Sequence, residues 1–147
     1  MSRAKFGREV PVLSPTDAAW LAGLIDGEGS VLLSRSGKSY SPVITVGMTH
    51  EDTILHVHRL VPGSMIHRQQ QAKGWKDAYC WTVGGRRAVA LAMQLVPYAV
   101  TKREQLMLLM RFPTGNWRGK LPVPETVKDE REGIYDGLRV LNRKGVA

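Results

Sequence analysis

The apolar and polar positions of the chain change rhythm several times, and each change marks an element. Ser14-Pro15-Thr16-Asp17 opens a helix. Ser14 suits the N-cap, Pro15 the first helical position, and Asp17 completes a capping-box-like pattern. The helix runs through the small and apolar stretch Ala18 to Ile25 and is expected to stop at Gly27 and Gly29. Ala19, Ala22, Gly23 and Asp26 stand three or four residues apart and so share one face. That face is small enough to let another helix approach closely. Glycine inside a helix costs about 1 kcal/mol relative to alanine, so Gly23 itself points to close packing.

The rhythm then becomes strand-like. Val31 to Arg35 and Tyr40 to Met48 read as strands around the turn Ser36-Gly37-Lys38-Ser39. Asp52 is expected to cap a short helix bearing Ile54, Leu55, Val57 and Leu60, which Pro62-Gly63 ends. Met65 to Gln70 and Asp77 to Val83 form a second hairpin, closed by Gly84-Gly85. Arg86 to Leu95 reads as an amphipathic helix, Thr101 as the cap of a helix over Lys102 to Arg111, and Thr114 to Pro124 as a loop. A last helix runs from about Glu125 to Asn142, with Val127, Ile134, Leu138 and Leu141 as its apolar stripe. The order helix, hairpin, helix, hairpin, helices predicts an α+β domain over 14–142, a four-stranded antiparallel sheet with helices on one face. Residues 1–13 read as a basic arm and 143–147 as a tail.

Strand alternation assigns the two faces of that sheet. Tyr79, Trp81 and Val83 are bulky and alternate, so they should point inward, leaving Ala78, Cys80 and Thr82 on the open face. In the first hairpin the expected open set is Leu32, Ser34, Ser36, Ser39, Ser41, Val43 and Thr45, with Arg35 and Lys38 near the turn. In the third strand it is Arg68 and Gln70. Any one of these is equally an ordinary solvated position.

Charge gives the open face a candidate partner. The chain has 147 residues, 21 Lys+Arg against 13 Asp+Glu, a net charge of +8 and a pI near 10.0. That balance favours a polyanion. A two-stranded ribbon fits the DNA major groove, where Arg can bind guanine and Gln adenine bidentately. Cys80 is the single cysteine, which excludes an intrachain disulfide framework and a cysteine-rich zinc site and fits a reducing, intracellular setting. No apolar run reaches transmembrane length, so no membrane role is expected.

Asp26 and Glu28 add a chemical oddity. They stand at the C-terminal end of the first helix, where the dipole is already negative. Either they are exposed loop acids or a cation compensates for them. Leu21-Ala-Gly-Leu-Ile-Asp-Gly-Glu-Gly29 resembles the signature of the LAGLIDADG homing endonucleases, matching seven of its nine letters. The likeness extends over the element order to about residue 112. It implies that Glu28 ligates a catalytic metal, Mg²⁺ with Mn²⁺ as a substitute, with the carbonyl of Gly29 as a further ligand. It implies that Asp26 ends the helix and holds a seam between two motif helices. With one motif in the chain, it implies a homodimer. Lys102, in Thr101-Lys-Arg-Glu-Gln105, resembles the family's catalytic-pocket lysine. One departure stands out: Val46-Gly-Met-Thr-His-Glu-Asp52 lacks the glutamine that many members place there, leaving Thr49, His50 or Glu51 as substitutes.

The function implied is cleavage of a long, roughly palindromic double-stranded DNA site with short 3′ overhangs. A DNA-binding regulator that has lost catalysis, an intron RNA maturase, and a protein unconnected with nucleic acid are the other readings. Salt separates the last from the rest. If phosphates are the partner, log affinity for duplex DNA falls linearly with log salt, by roughly 0.9 per phosphate neutralised. A salt-independent or absent interaction in a filter-binding titration leaves only the non-nucleic-acid reading.

Overall fold

The computed structural model describes residues 10–115, 117 and 122–143. The greater part of the N-terminal arm (1–9), parts of the Thr114–Pro124 loop and the last four residues of the tail lie outside these. Helix α1 spans Pro15–Glu28, and the Ser14 hydroxyl accepts the Asp17 amide at 3.1 Å. Strands β1 (Gly29–Ser36) and β2 (Ser39–Met48) follow, then α2 (Glu51–Leu60), β3 (Met65–Gln69), β4 (Ala78–Gly84), α3 (Gly85–Leu95), α4 (Arg103–Met110) and α5 (Glu125–Leu141).

Three element ends differ from the sequence reading. Helix α1 continues through Asp26, Gly27 and Glu28, so both acids lie within its last turn. Gly29 donates its amide to the Ile25 carbonyl with an extended φ of −95° and pairs at once opposite Val46. Sheet pairing, not a left-handed glycine, therefore ends the helix. Helix α2 is capped by His50 rather than Asp52: its Nδ1 accepts the Thr53 amide at 3.3 Å. Helix α4 begins with Lys102, not Thr101, at its N-cap, and no side chain of its own caps it.

The strands form one antiparallel sheet in the order β1-β2-β4-β3. Ser36 pairs with Ser39 across a two-residue turn whose first position, Gly37, has φ +61°. Glycine is the residue that adopts that angle freely, and such turns match strand twist. The five described helices pack against the sheet: α1 on β1 and β2, α2 on β2, β3 and β4, α3 on β2 and β4, and α4 and α5 on β1. Between the layers Leu21, Ile25, Val31, Ile44, Ile54, Trp81, Leu91 and Leu106 are fully buried. Trp81 and Val83 point inward as expected, with Tyr79 half-buried beside them. Helix α5 is locked down by polar contact too, since the Asn142 side chain donates to the Val31 carbonyl at 2.8 Å.

The third strand runs in the opposite parity to that expected. Ile66 stands opposite Trp81 and Arg68 opposite Tyr79, so both share the helix side; Met65 stands opposite Thr82 and is 73% exposed. Met65 and Ile66 are both apolar, and packing on Trp81 decides between them. Gln70 falls beyond the strand. Arg35 also lies on the helix side, opposite Tyr40, with its guanidinium 5.8 Å and 6.0 Å from the Tyr40 and Tyr135 ring centres.

Leu21 faces the sheet from the middle of α1 with no exposed surface. Truncation of such a residue removes transfer energy and leaves a cavity. Leu21→Ala is expected to cost about 2–5 kcal/mol, read as a lower urea midpoint at unchanged slope.

Candidate active site

The last turn of α1 meets the connection between α3 and α4. One carboxylate oxygen of Asp26 accepts the Val100 amide and the other the Lys102 amide, each at 2.8 Å. Charged acceptors make the stronger class of hydrogen bond. Asp26 thus sits at the wrong end of its own helix and at the right end of the next, beside the N-terminus of α4, where negative charge is favoured. It does for α4 what Lys102, a residue without an acceptor, cannot do at the N-cap. The same contact brings Lys102 to the end of α1. Glu28, two residues after Asp26, is exposed, and among the described residues neither its carboxylate nor the Lys102 ammonium has a partner. Gly29 is buried, and a Cβ there would lie 2.8 Å from the Ile25 backbone, so glycine alone fits this helix-to-strand join.

The outward face of α1 differs from the sequence reading by one residue. Ala22 has no exposure and belongs to the core, so it cannot form a seam. Ala19 and Gly23 are exposed, and Gly27 continues their line at four-residue spacing. A Cβ at Gly23 or Gly27 would meet nothing within 4 Å. Gly27 was legible as part of this line only once the helix was known to extend past it.

The open face of the sheet holds Ser34, Ser36, Ser39, Ser41, Cys80 and Thr82, as expected, with Leu32 beside Val43 and Thr45 beside Thr82. The Thr45 hydroxyl donates to the Trp81 carbonyl at 2.9 Å, so that donor is already used. Ser30, Met65, His67 and Gln69 also stand on this face, where register puts them opposite Thr45, Thr82, Cys80 and Ala78. Strand-three parity hid Met65, His67 and Gln69. Lys38 is exposed at the β1–β2 turn, and Lys73, Trp75 and Lys76 are exposed on the β3–β4 loop. Arg68 donates from Nε to Asp77 at 2.9 Å, and Asp77 also accepts the Gln71 amide, tying down the base of that loop. The Arg68 bond holds the Asp77 carboxyl below its ordinary pKa.

No protein-family model and no curated protein matches the chain. Solved structures do. The homing endonuclease I-CvuI, bound to its target with calcium, aligns at a TM-score of 0.68 and 21% identity over 90% of this chain and 86% of its own. The archaeal intron-encoded homing endonuclease I-Vdi141I, complexed with DNA, aligns at 0.68 and 13% over 89% and 87%. The LAGLIDADG homing endonuclease I-SmaMI, bound to cleaved DNA, aligns at 0.58 and 16% over 96% of this chain but 52% of its own. This is the LAGLIDADG homing-endonuclease fold.

Within that fold the donors at the end of α1 suit a hard cation. A carboxylate and a backbone carbonyl offer oxygen, which Mg²⁺ and Mn²⁺ prefer. Among the described residues no three His, Cys, Asp or Glu side chains cluster for a metal. Of the three residues that could stand in for the missing glutamine, His50 is committed to its cap and Glu51 to the Tyr79 hydroxyl, whose pKa it raises. Thr49 is left exposed and without a side-chain partner among the described residues. No described helix is long and apolar enough to cross a membrane.

Asp26 is testable apart from any activity. Asp26→Ala strands two amides at the start of α4, at about 1–3 kcal/mol for each unmet group. Faster hydrogen exchange at Val100 and Lys102 is expected, with Asp26→Asn, which keeps one acceptor oxygen, in between. Unchanged exchange at both amides would show that the connection is held by something else.

Proposed function

We propose that the chain is a site-specific, divalent-metal-dependent DNA endonuclease that works as a homodimer on double-stranded DNA. The observation that carries this reading is the corner where Asp26 ties the α3–α4 connection to the end of α1. It gathers a carboxylate, Glu28, and an ammonium, Lys102, neither paired among the described residues, at one edge of a hydroxyl-rich sheet face. Hydrolysis of a phosphodiester needs both signs: oxygen donors for a cation and a positive group for charge that develops on the phosphate.

The division of work follows. Glu28 and the Gly29 carbonyl of each copy would hold a divalent cation such as Mg²⁺. The bound ion supplies Lewis-acid polarisation of the phosphate and activation of water. Lys102 offsets negative charge on the scissile phosphate, and Asp26 holds Lys102 in position without touching the substrate. Thr49, at the end of β2, is free to orient a water. Dimerisation uses the Ala19, Gly23 and Gly27 line of α1, whose lack of side chains lets two helix backbones approach to the short end of the usual 8–10 Å packing range. That brings the two Glu28 ends together. Each copy cuts one strand, giving a staggered break with short 3′ overhangs in a roughly palindromic site.

The competing reading is a binding protein that no longer cuts, favoured by the missing glutamine. Cleavage of a selected target with Mg²⁺ separates the two. Glu28→Gln is expected to retain DNA affinity in a gel shift and to lose cleavage. Lys102→Ala is expected to slow single-turnover cleavage roughly 10²-fold or more while leaving binding within a small factor. Wild-type cutting by Glu28→Gln in Mg²⁺ would remove Glu28 from the site.

A further inference from the structure

The open face of the sheet sorts the chemistry of base recognition in one direction. Four side-chain chemistries distinguish base pairs in the major groove: Arg or Lys on guanine, Asp or Glu on cytosine, Asn or Gln on adenine, and apolar groups on the thymine methyl. Among the described strand residues, the open face carries no Arg, Lys, Asp or Glu. The two arginines that strand alternation offered as guanine readers are both elsewhere. Arg35 is stacked near Tyr40 and Tyr135 on the helix side, and Arg68 is bonded to Asp77 on that side too. Both chemistries that select G·C are therefore missing. Both that select A·T are present. Gln69 is exposed at the end of β3, and Leu32 packs beside Val43 across β1 and β2, with Cys80 and Met65 beyond. The serines and His67 can satisfy either pair and do not tilt the balance.

We infer that the DNA segment facing these strands is A·T-rich in the target. The inference rests on the nuclease reading above, since it takes the open face as the one that enters the groove. Lysines at the rim, Lys38 at one hairpin end and Lys73 and Lys76 at the other, serve the phosphates, which position the protein without reading sequence. Strand β2 from Ser39 to Gly47 extends roughly 27 Å, the length of about eight base pairs. Gln69 lies at the end of the sheet where β1 leaves α1, because Gly29, Val46, Trp81 and Ile66 form one cross-strand row and Gln69 comes after Ile66. The adenine it reads is therefore in the inner part of each half-site, toward the cut.

The test is selection from duplexes randomised across a palindromic half-site. Complexes with the full chain are isolated by gel shift with Ca²⁺ present and then sequenced. A·T pairs dominating the strand-facing span support the inference. G·C pairs dominating it overturn the inference and leave the nuclease reading standing. Recovery of no duplex above background removes that reading and the inference with it. Gln69→Ala, an exposed change that should leave the fold intact, is expected to lower discrimination for adenine at one inner position by about 5- to 150-fold. An unchanged base profile would take Gln69 out of the readout.

Discussion

A carboxylate at the negative end of a helix needs positive charge, and Asp26 finds it in the amides that precede another helix. The rest of the candidate site follows from that bond. It ties the start of α4 to the last turn of α1 through the Val100 and Lys102 amides, and it uses neither the Lys102 nor the Glu28 side chain. It also leaves Glu28 as the acid of the last turn with no ion-pair partner among the described residues. The two acids of the motif are one bond apart in role: Asp26 is satisfied by folding and Glu28 is not. An unsatisfied carboxylate on the surface costs little, because water solvates it, so the arrangement waits for a ligand without destabilising the domain.

The sheet divides its labour in a similar way. Its inner face is apolar and anchored on Trp81, whose ring fixes the parity of β3 by taking Ile66 as its neighbour. Its outer face is built of short hydroxyl and apolar side chains, with cations set around the edge. Charge is thus concentrated where a phosphate backbone would pass and thinned out where base edges would lie. A net charge of +8 says nothing about that placement; only the register does.

Most of the fold was legible in the chain because its signals are local. Ser14-Pro15 starts α1, Gly37 turns the first hairpin, and the alternation Tyr79, Trp81, Val83 picks the inner face of β4. The errors fall where local signals are balanced. Met65 and Ile66 are equally apolar, so parity was set only by the pairing of Ile66 opposite Trp81. Ala22 is as small as Ala19, and small residues suit a core and a seam alike; the full burial of Ala22 settles it. Asp52 looks like a better cap than His50, yet the imidazole nitrogen reaches the Thr53 amide from one residue before the helix. In the candidate site, Glu28 stood out as an acid at the negative end of a helix, and Lys102 was singled out by resemblance. The bond that joins their elements spans 76 residues of sequence and left no trace in either stretch.

Glu28 and Gly29 are neighbours with opposite tolerances. Gly29 is gripped by the Ile25 backbone and leaves no room for a side chain, whereas Glu28 is exposed and has no side-chain partner among the described residues. A substitution at position 28 is therefore expected to leave the domain stable. Position 29 has no such freedom, because any side chain there would force the Ile25 backbone to shift. The join between helix and strand thus places a position open to change and a position bound by geometry on adjacent residues.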